Sequence, residues 1–352
     1  MTPAWTSATV RSSIRRNARW QASGLLLLAL SLVADFAAGQ SRDGKAMPDS
    51  STLEIEFTTA VEQDGDAYRT ARAAILERGE PARAFLELKQ TSTDWKTSLA
   101  ASILVGWLTN HDLFERCTHA ILGHLGGPKP ITGTFSPDRR IGAVSRLGNA
   151  VTPRLLEMVL KTKELGDADQ TAATFGSLVA LKDPRAVVPL METMAASPDE
   201  ELREWAASTL GPLQDSRAVT PLLAILRKPA TPEMLRASAA LSLAALGARE
   251  ALPDLRAIAA DVRANLGFRK AAVSAIGELA DADSAAGLLG TLASTHDLPF
   301  QLLVLITVGD IGGANVVPAL RKIEHDHAEE PVREAAKEAR ERIQERIGVE
   351  QN

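Results

Sequence analysis

The sequence predicts an all-α fold, an α-solenoid (superhelix) of about six or seven helix pairs that follow a small helical N-terminal region. Two different phrases recur along the second half of the chain, both with a period of about 32 residues. No segment alternates polar and apolar residues over a useful length, so strands are not expected. The apolar fraction of 45% in 352 residues excludes wholesale disorder, so stacked helical repeats are predicted.

Residues 1–39 have the pattern of a secretory signal peptide. Four arginines, the last of them Arg19, precede an apolar run at 22–34, and Ala37, Ala38 and Gly39 supply small residues for cleavage. That run is shorter than the roughly 20 residues of a membrane-spanning helix. We therefore expect a periplasmic or secreted protein with no membrane insertion after cleavage. The alternative is an envelope protein tethered by an uncleaved N-terminal segment.

Two segments separate this leader from the repeats. Residues 40–55 are rich in Ser, Asp and Gly and predict a flexible linker. Residues 56–135 have helical patterns that fit the repeat period poorly. They are interpreted as degenerate repeats or as a capping bundle.

The repeat array is predicted for residues 136–352. One phrase is apolar and usually centred on proline, which suits the first turn of a helix A. Its centres are Pro153, Pro189, Pro221, Pro253, Gly287 and Pro318. The second phrase opens a helix B, and its copies begin at Arg140, Gln170, Arg203, Arg236, Arg269, Gln301 and Arg333.

Helix B carries further column-specific residues. Small residues recur in one column and predict close approach of neighbouring helices; they are Ala206, Ala239, Ala272 and Ala336. Glycines near the ends of helix B predict C-caps, at Gly211, Gly277 and Gly309. In the last helix, Lys337 and Arg340 occupy columns that are apolar in earlier units, as expected of a C-terminal capping helix.

These phrases resemble HEAT repeats, in particular the HEAT-like repeats first associated with phycobilisome lyases. The segments 182–190 and 331–336 are similar to that family's openings of helix A and helix B. The resemblance covers about residues 136–346 and implies a right-handed solenoid with helix B on the concave side. It also implies a structural ladder in which the helix-opening arginine pairs with an inter-repeat aspartate. Gln170 and Gln301 depart from that ladder, and no lyase activity is carried over.

The composition and motifs exclude several function classes. A net charge of −5 and an aromatic content of 4% argue against nucleic-acid binding. Phosphate-binding loops, zinc-protease motifs and nucleophile elbows are absent from the sequence, and no cofactor is predicted. Cys117 is the single cysteine and is expected to be a buried thiol.

Two clusters contain residue types that bind metals. They are His325, Asp326, His327, Glu329 and Glu330, and Cys117, His119 and His124. The first reads as a solvated loop and the second as core packing, because neither spacing sets ligands around one point. No metal site is predicted.

One helix B departs from the polar pattern of its exposed face. Two columns of that face are mostly polar, whereas the sixth unit has Leu302 and Ile306 there and Leu241 lies in an earlier unit. An exposed apolar patch of this kind predicts a protein-binding site. The alternative is that a loop, a neighbouring unit or a dimer partner covers it.

The sequence therefore predicts a periplasmic or secreted, non-catalytic scaffold that binds a protein or peptide on its solenoid surface. The alternative is an accessory subunit or an enzyme of unrecognised type, with chemistry in residues 56–135. A scaffold predicts that polar residues of that region face solvent, whereas an enzyme predicts titratable groups that converge in a pocket.

Overall fold

A computed structural model of the chain describes residues 50–123 and 137–350, which belong to one compact unit, Pro48–Asn352. The predicted signal peptide, most of the predicted linker and His124 lie outside the described residues. The described part contains seventeen α-helices and no strand, which confirms the all-α prediction.

Four helices form the N-terminal region: α1 (Ser50–Glu62), α2 (Gly65–Glu77), α3 (Glu80–Gln90) and α4 (Trp95–Ile121), the last kinked at Asn110. Helix α1 begins before the predicted linker ends, so residues 50–55 are helical and the linker prediction is wrong for them. The reason is burial, because Leu53 and Phe57 pack with Tyr68, Ile75 and residues of α3 and α4 in one core.

The array alternates two kinds of helix. The B helices are α5 (Pro137–Ser145), α7 (Ala168–Leu181), α9 (Glu200–Leu210), α11 (Glu233–Ala245), α13 (Leu266–Glu278), α15 (Leu298–Ile311) and α17 (Glu330–Glu350). The A helices are α6 (Thr152–Glu157), α8 (Val187–Ala196), α10 (Val219–Arg227), α12 (Leu252–Ala260), α14 (Ala285–Gly290) and α16 (Val317–Asp326).

The helices pack in sequence order as an α-solenoid. Each A helix packs on the B helix that follows it, and consecutive B helices pack more extensively than consecutive A helices. One continuous apolar core joins the pairs and extends from Cys117 to Ile343. Each pair therefore buries its apolar face against its neighbours, as a repeat protein requires.

Small residues set the spacing of the B helices. Ala206, Ala239, Ala272 and Ala336 are fully buried, in agreement with the column predicted for close approach. Gly211 is the C-cap of α9, as predicted, whereas the C-cap prediction is wrong for Gly277 and Gly309, which lie inside α13 and α15.

These glycines serve the contact between helices. A Cβ atom at Gly211 would lie 2.7 Å from Cα of Ser242, and one at Gly309 would lie 3.0 Å from Cα of Ala339. A side chain at either position would push the next B helix away. Glycine is required there by the approach of a neighbour and not by a turn.

The arginines that open helix B also have a different partner from the one expected. Arg203, Arg236 and Arg269 donate from Nε to backbone oxygens of Met194, Leu226 and Ala259, over 2.8–3.0 Å. Arg333 donates to the oxygens of His327 and Ala328.

Each of these acceptors lies at or just beyond the C-terminal end of the preceding A helix, where carbonyl groups lack intrahelical partners. A cation is also favoured at that end of the helix dipole. The arginines therefore cap their own repeat, and the expected pairing with an inter-repeat aspartate is not made. Arg140 is buried beside Gly123.

Gln301 takes the same role in its repeat. Its amide nitrogen donates to the oxygens of Leu292 and Thr295, over 3.3 and 3.0 Å. A neutral amide thus replaces the guanidinium at the end of the A-helix segment. Gln170 differs, since its side-chain oxygen accepts from the backbone N–H of Gly166.

Aspartate–arginine pairs do join neighbouring repeats, at the turns that precede the A helices. Arg185 pairs with Asp183 and donates to the oxygen of Asn149 in the preceding repeat, over 2.6 Å. Arg217 pairs with Asp215 and donates to the oxygen of Pro184. A ladder of aspartate–arginine pairs therefore exists, but its residues lie at the start of helix A and not at the start of helix B.

At the next turn, the arginine reaches the following repeat instead of the preceding one. The carboxylate of Asp281 is buried and accepts from Arg249 and Arg256 of the preceding repeat and from Ser284 of its own. Burial alone would raise the pKa of Asp281, but the bonds from Ser284 and Arg256 outweigh it and hold that pKa below its ordinary value.

The last helix is tied to the preceding pair by polar contacts. Arg340 pairs with Glu324 of α16 at 2.9 Å, and Arg346 donates to backbone oxygens at the end of α15, that of Asp310 among them. The outward side of α17 is polar, with Glu334, Glu338 and Glu341 exposed. This arrangement suits the predicted capping role, because charged side chains keep an end face soluble.

Replacing Arg269 with Met should lower the free energy of unfolding by about 2–3 kcal/mol. The change removes a charge-assisted hydrogen bond and leaves a buried helix-end carbonyl without a partner. Urea unfolding followed by circular dichroism measures the effect. Arg263→Met is the matched control, because the Arg263 side chain is 90% exposed, and it should change stability by less than about 0.5 kcal/mol. Equal losses in the two variants would contradict the capping role.

Acid should weaken the fold through Asp281. The folded-state pKa lies below the ordinary value of 3.8, so ionised Asp281 stabilises the fold above that pH, and this stability is lost as the pH falls through the folded pKa. We expect Asp281→Asn to lower the melting temperature at neutral pH and to flatten its fall between about pH 5 and 3. Asp66→Asn is the control, since Asp66 is 97% exposed, and it should keep the wild-type profile. A wild-type slope in Asp281→Asn would contradict the assignment.

Candidate functional site

The predicted patch residues lie on the exposed side of the B helices. Leu241 on α11 is 42% exposed and Ile306 on α15 is 46% exposed, whereas Leu302 is half-buried. Helix α13 lies between α11 and α15 and presents Ser274 in the same column. Leu241 is thus separated from Leu302 and Ile306 by one helix, which presents a polar residue in this column.

We call this side of the array the B-face, defined by Glu204, Ser208, Leu241, Ser274 and Ile306. Its acidic end is formed by Glu200, Glu201 and Glu204. Burial and the nearby carboxylates of Glu200 and Glu201 raise the pKa of Glu204. No ion pair involves any of these three glutamates within the described ranges 50–123 and 137–350.

A cleft separates the N-terminal region from the array. This junction cleft has a volume of about 600 Å³ and lies between the α1–α2 turn, the first half of α4, the segment after α6 and the α8–α9 corner. Its apolar lining includes Leu99, Ile103, Val159, Leu160 and Leu202. Its charged lining consists of Glu62, Asp64, Lys96, Lys161, Lys163 and Glu192.

An irregular turn forms one wall of the junction cleft. Helix α6 continues as a π-helical turn, Met158–Thr162, and the backbone then turns through Lys163 in the left-handed region at φ 50°. Such π turns are rare and are frequently found at functional sites. Here the turn directs Lys161 to the α1–α2 turn, where its ammonium donates to the oxygens of Val61 and Gln63, over 2.6 and 2.9 Å.

A bridge spans the other side of the cleft. Trp95 of α4 donates from Nε1 to the carboxylate of Glu192 on α8 over 2.7 Å, and the ammonium of Lys96 lies 3.4 Å from the same group. A second cavity of about 310 Å³ lies next to this bridge and is lined by Trp95, Ser98, Ser102 and Val188 among others. The two cavities share Trp95, Leu99 and Pro189.

Beneath the cleft lies a buried polar cluster, defined as Tyr68, Arg72, Trp107, Arg154 and Glu157. The carboxylate of Glu157 is fully buried and accepts hydrogen bonds from all four of the others. Oε1 accepts from Tyr68 at 2.9 Å and from Arg72, and Oε2 accepts from Trp107 at 2.9 Å and Arg154 at 3.1 Å. The donors lie on α2, α4 and α6, so the cluster joins the N-terminal region to the array.

The protonation states of the cluster suit this arrangement. Burial and the charge of Glu157 raise the pKa of Tyr68, so its hydroxyl remains a donor. Burial would lower the pKa of Arg154, but Glu157 and Glu164 outweigh it and raise that pKa. Burial also raises the pKa of the nearby Cys117 thiol to about 12, which makes it a poor nucleophile near neutral pH.

Neither the scaffold expectation nor the enzyme expectation for residues 56–135 is met in full. Thr118 is the one buried polar residue of 56–123, and the charged side chains there are half-buried or exposed, as a scaffold predicts, although Tyr68, Arg72 and Trp107 do converge on Glu157. However, none of the cluster residues lines the junction cleft, and both oxygens of Glu157 are satisfied. The cluster around Glu157 is therefore a contact that holds helices together, and it does not form an open site.

Sequence reasoning missed Glu157, although a signal was present. It stands four residues after Pro153, in a column that holds Thr193, Ile225 and Ala257 in later repeats. The only other charged residue of this column is Lys322, in the last helix A, so a carboxylate at this position marks a special contact. The partners could not be deduced, because Tyr68 and Arg72 belong to a region outside the repeat register.

Within the described part of the chain, no group of three or more His, Cys, Asp or Glu side chains is placed to hold a metal ion. The ring nitrogen Nδ1 of His327 accepts from the backbone N–H of Glu329 over 3.2 Å, in the turn before α17. Cys117 is buried on α4, and no described helix is long and apolar enough to cross a bilayer.

Glu157→Gln should lower the free energy of unfolding by about 3–5 kcal/mol. The amide nitrogen cannot accept a hydrogen bond, so two donors lose their acceptor, and both arginines lose their buried counter-charge. Urea unfolding measures the change, with Glu80→Gln as control because Glu80 is 76% exposed in its pair with Arg83. A loss no larger than that of the control would show that the cluster does not hold the two regions together.

Comparison with known families agrees with this architecture. Residues 187–265 match the sequence model of HEAT repeats, a stretch that holds α8 to α12, and helix pairs of the same kind continue on both sides of it. No curated protein matches the chain. The matched segment and the stacked helix pairs around it together show that the chain contains HEAT repeats.

Proposed function

We propose that the protein is exported from the cytoplasm and binds, without catalysis, a segment of another protein on its B-face. HEAT repeats commonly mediate contacts between proteins, which supports a protein partner. The observation that carries the proposal is the exposure of Leu241 and Ile306 in a column where Ser145, Ser208 and Ser274 stand in other repeats. Export rests on the signal-peptide pattern of residues 1–39.

The partner segment is basic as well as apolar. Glu200, Glu201 and Glu204 form an acidic end of the B-face, and Lys270 is held by Asp297 at 2.8 Å. A lysine or arginine of the partner would relieve the repulsion that raises the pKa of Glu204. Charge complementarity of this kind sets orientation and speeds association.

The apolar anchors supply part of the affinity. Covering the exposed part of a leucine or isoleucine contributes about 1–2 kcal/mol. Two such anchors on helices separated by α13 fit an extended or helical segment that crosses several B helices. The surface is preformed, so binding requires little rearrangement of the array.

The test replaces both anchors by the residue that the same column uses elsewhere. Leu241→Ser with Ile306→Ser should keep helicity and melting temperature, because serine already occupies this column in three repeats. A photo-reactive residue at Ser274 captures whatever lies on the B-face in native envelope extracts. Mass spectrometry identifies the cross-linked segment and shows where the mature chain begins, which is expected near Gln40.

A lysine- or arginine-bearing apolar segment, cross-linked in the wild type and lost in the double serine variant, supports the proposal. Leu88→Ser is the matched control, since Leu88 is 71% exposed on α3, away from the B-face, and capture should persist. Capture that is equal in the double variant, or a cross-link only to a second copy of this chain, would overturn the proposal.

A further inference from the structure

The junction cleft has the size and lining of a ligand site distinct from the B-face. Its volume of about 600 Å³ lies within the usual range for small-molecule and peptide pockets. It lies between the π turn after α6 and the bridge from Trp95 to Glu192, which joins α4 to α8. The floor is apolar, formed by Leu99, Leu160 and Leu202 among others.

Lys161 places an incompletely satisfied cation in this apolar wall. An ammonium group has three N–H donors, and two of them go to the oxygens of Val61 and Gln63. Those two bonds fix the group in place and leave its third donor without a hydrogen-bond acceptor among the described residues, with the ring of Tyr68 centred 5.8 Å from the ammonium. No carboxylate of the described residues lies within 4.0 Å of it, although Asp64 is close enough to favour its charged form.

The electrostatics of Lys161 agree with an anionic occupant. Burial lowers its pKa, the charge of Lys96 acts in the same direction, and Asp64 opposes them only in part. Lys163, held at the end of the π turn, also lacks an ion pair among the described residues, whereas Lys96 shares Glu192 with Trp95. A carboxylate held by Lys161 and Lys163 would, like Asp64, oppose this lowering of the Lys161 pKa.

The cleft has the length of a short extended peptide. It runs along α4 from Trp95 to Ile103, a distance of about 12 Å at the rise of an α-helix. About four residues of extended chain span that length. The second cavity next to Trp95 continues the cleft.

We propose that the junction cleft binds an extended peptide segment that presents an Asp or Glu side chain to Lys161 and Lys163 and apolar side chains to the floor. This partner is acidic and apolar, opposite in charge to the segment assigned to the B-face. The proposal does not depend on the B-face, and each can fail without the other.

The experiment selects peptides from a random hexapeptide library with both ends blocked. We expect the full mature chain to enrich sequences in which Asp or Glu is flanked by Leu, Ile or Val. For an enriched peptide, exchange of its Glu for Gln should weaken binding at least tenfold by calorimetry. The double serine variant of the B-face should enrich the same sequences.

Lys161→Met and Lys163→Met should each lose the acidic preference. Because Lys161 also caps the α1–α2 turn, Lys163→Met keeps the test valid if Lys161→Met unfolds. Lys182→Met is the matched control, since Lys182 has the same left-handed φ of 50° in another repeat and does not line the cleft. It should behave as the wild type.

Three outcomes would overturn the proposal: no enrichment on the wild type, the same acidic consensus on Lys163→Met, or equal binding of the Glu and Gln peptides. Dodecanoate serves as a further probe. If it displaced every selected peptide while dodecanol did not, the cleft would be a carboxylate-lipid site, and the peptide assignment would be wrong.

Discussion

Close approach of consecutive B helices is the constraint on which the rest of the array depends. Each helix pair buries its apolar face only against its neighbours, so the spacing between B helices sets how completely the core closes. Gly211 and Gly309 meet backbone atoms of the next B helix, and the alanine column beside them is fully buried. With the helices this close, the arginines that open helix B reach back to cap helix A, and each repeat becomes a rigid unit.

The junction with the N-terminal region breaks this regular geometry. There the carboxylate of Glu157 accepts hydrogen bonds from donors on α2, α4 and α6. The π turn that follows takes the backbone out of the repeat register. A buried charge is retained at a cost in desolvation, so a fully satisfied set of donors is required. The departure from the repeat pattern is also what opens the junction cleft, since α4 and α8 are joined there through Glu192.

The two proposed surfaces follow from different physical causes. The B-face is produced by repetition, which places the same column of each B helix side by side and exposes an apolar residue wherever serine is replaced. The junction cleft is produced by an interruption of the repetition, which leaves a lysine in an apolar wall. Their opposite charges would let one chain hold two different segments at once, and the rigid array would fix the distance between them.

The sequence by itself determined the all-α class, the helix pairs and their period, because these depend on local patterns: prolines in first turns, aspartates such as Asp199 and Asp297 as N-caps, and buried alanines in one column. Tertiary structure decided what the same residues contact. The arginine column was visible, but its carbonyl acceptors depend on how helix A ends. Glu157 and Tyr68 are 89 residues apart, outside any shared period. Periodicity records which face is buried, whereas partners and clefts arise only when distant elements meet.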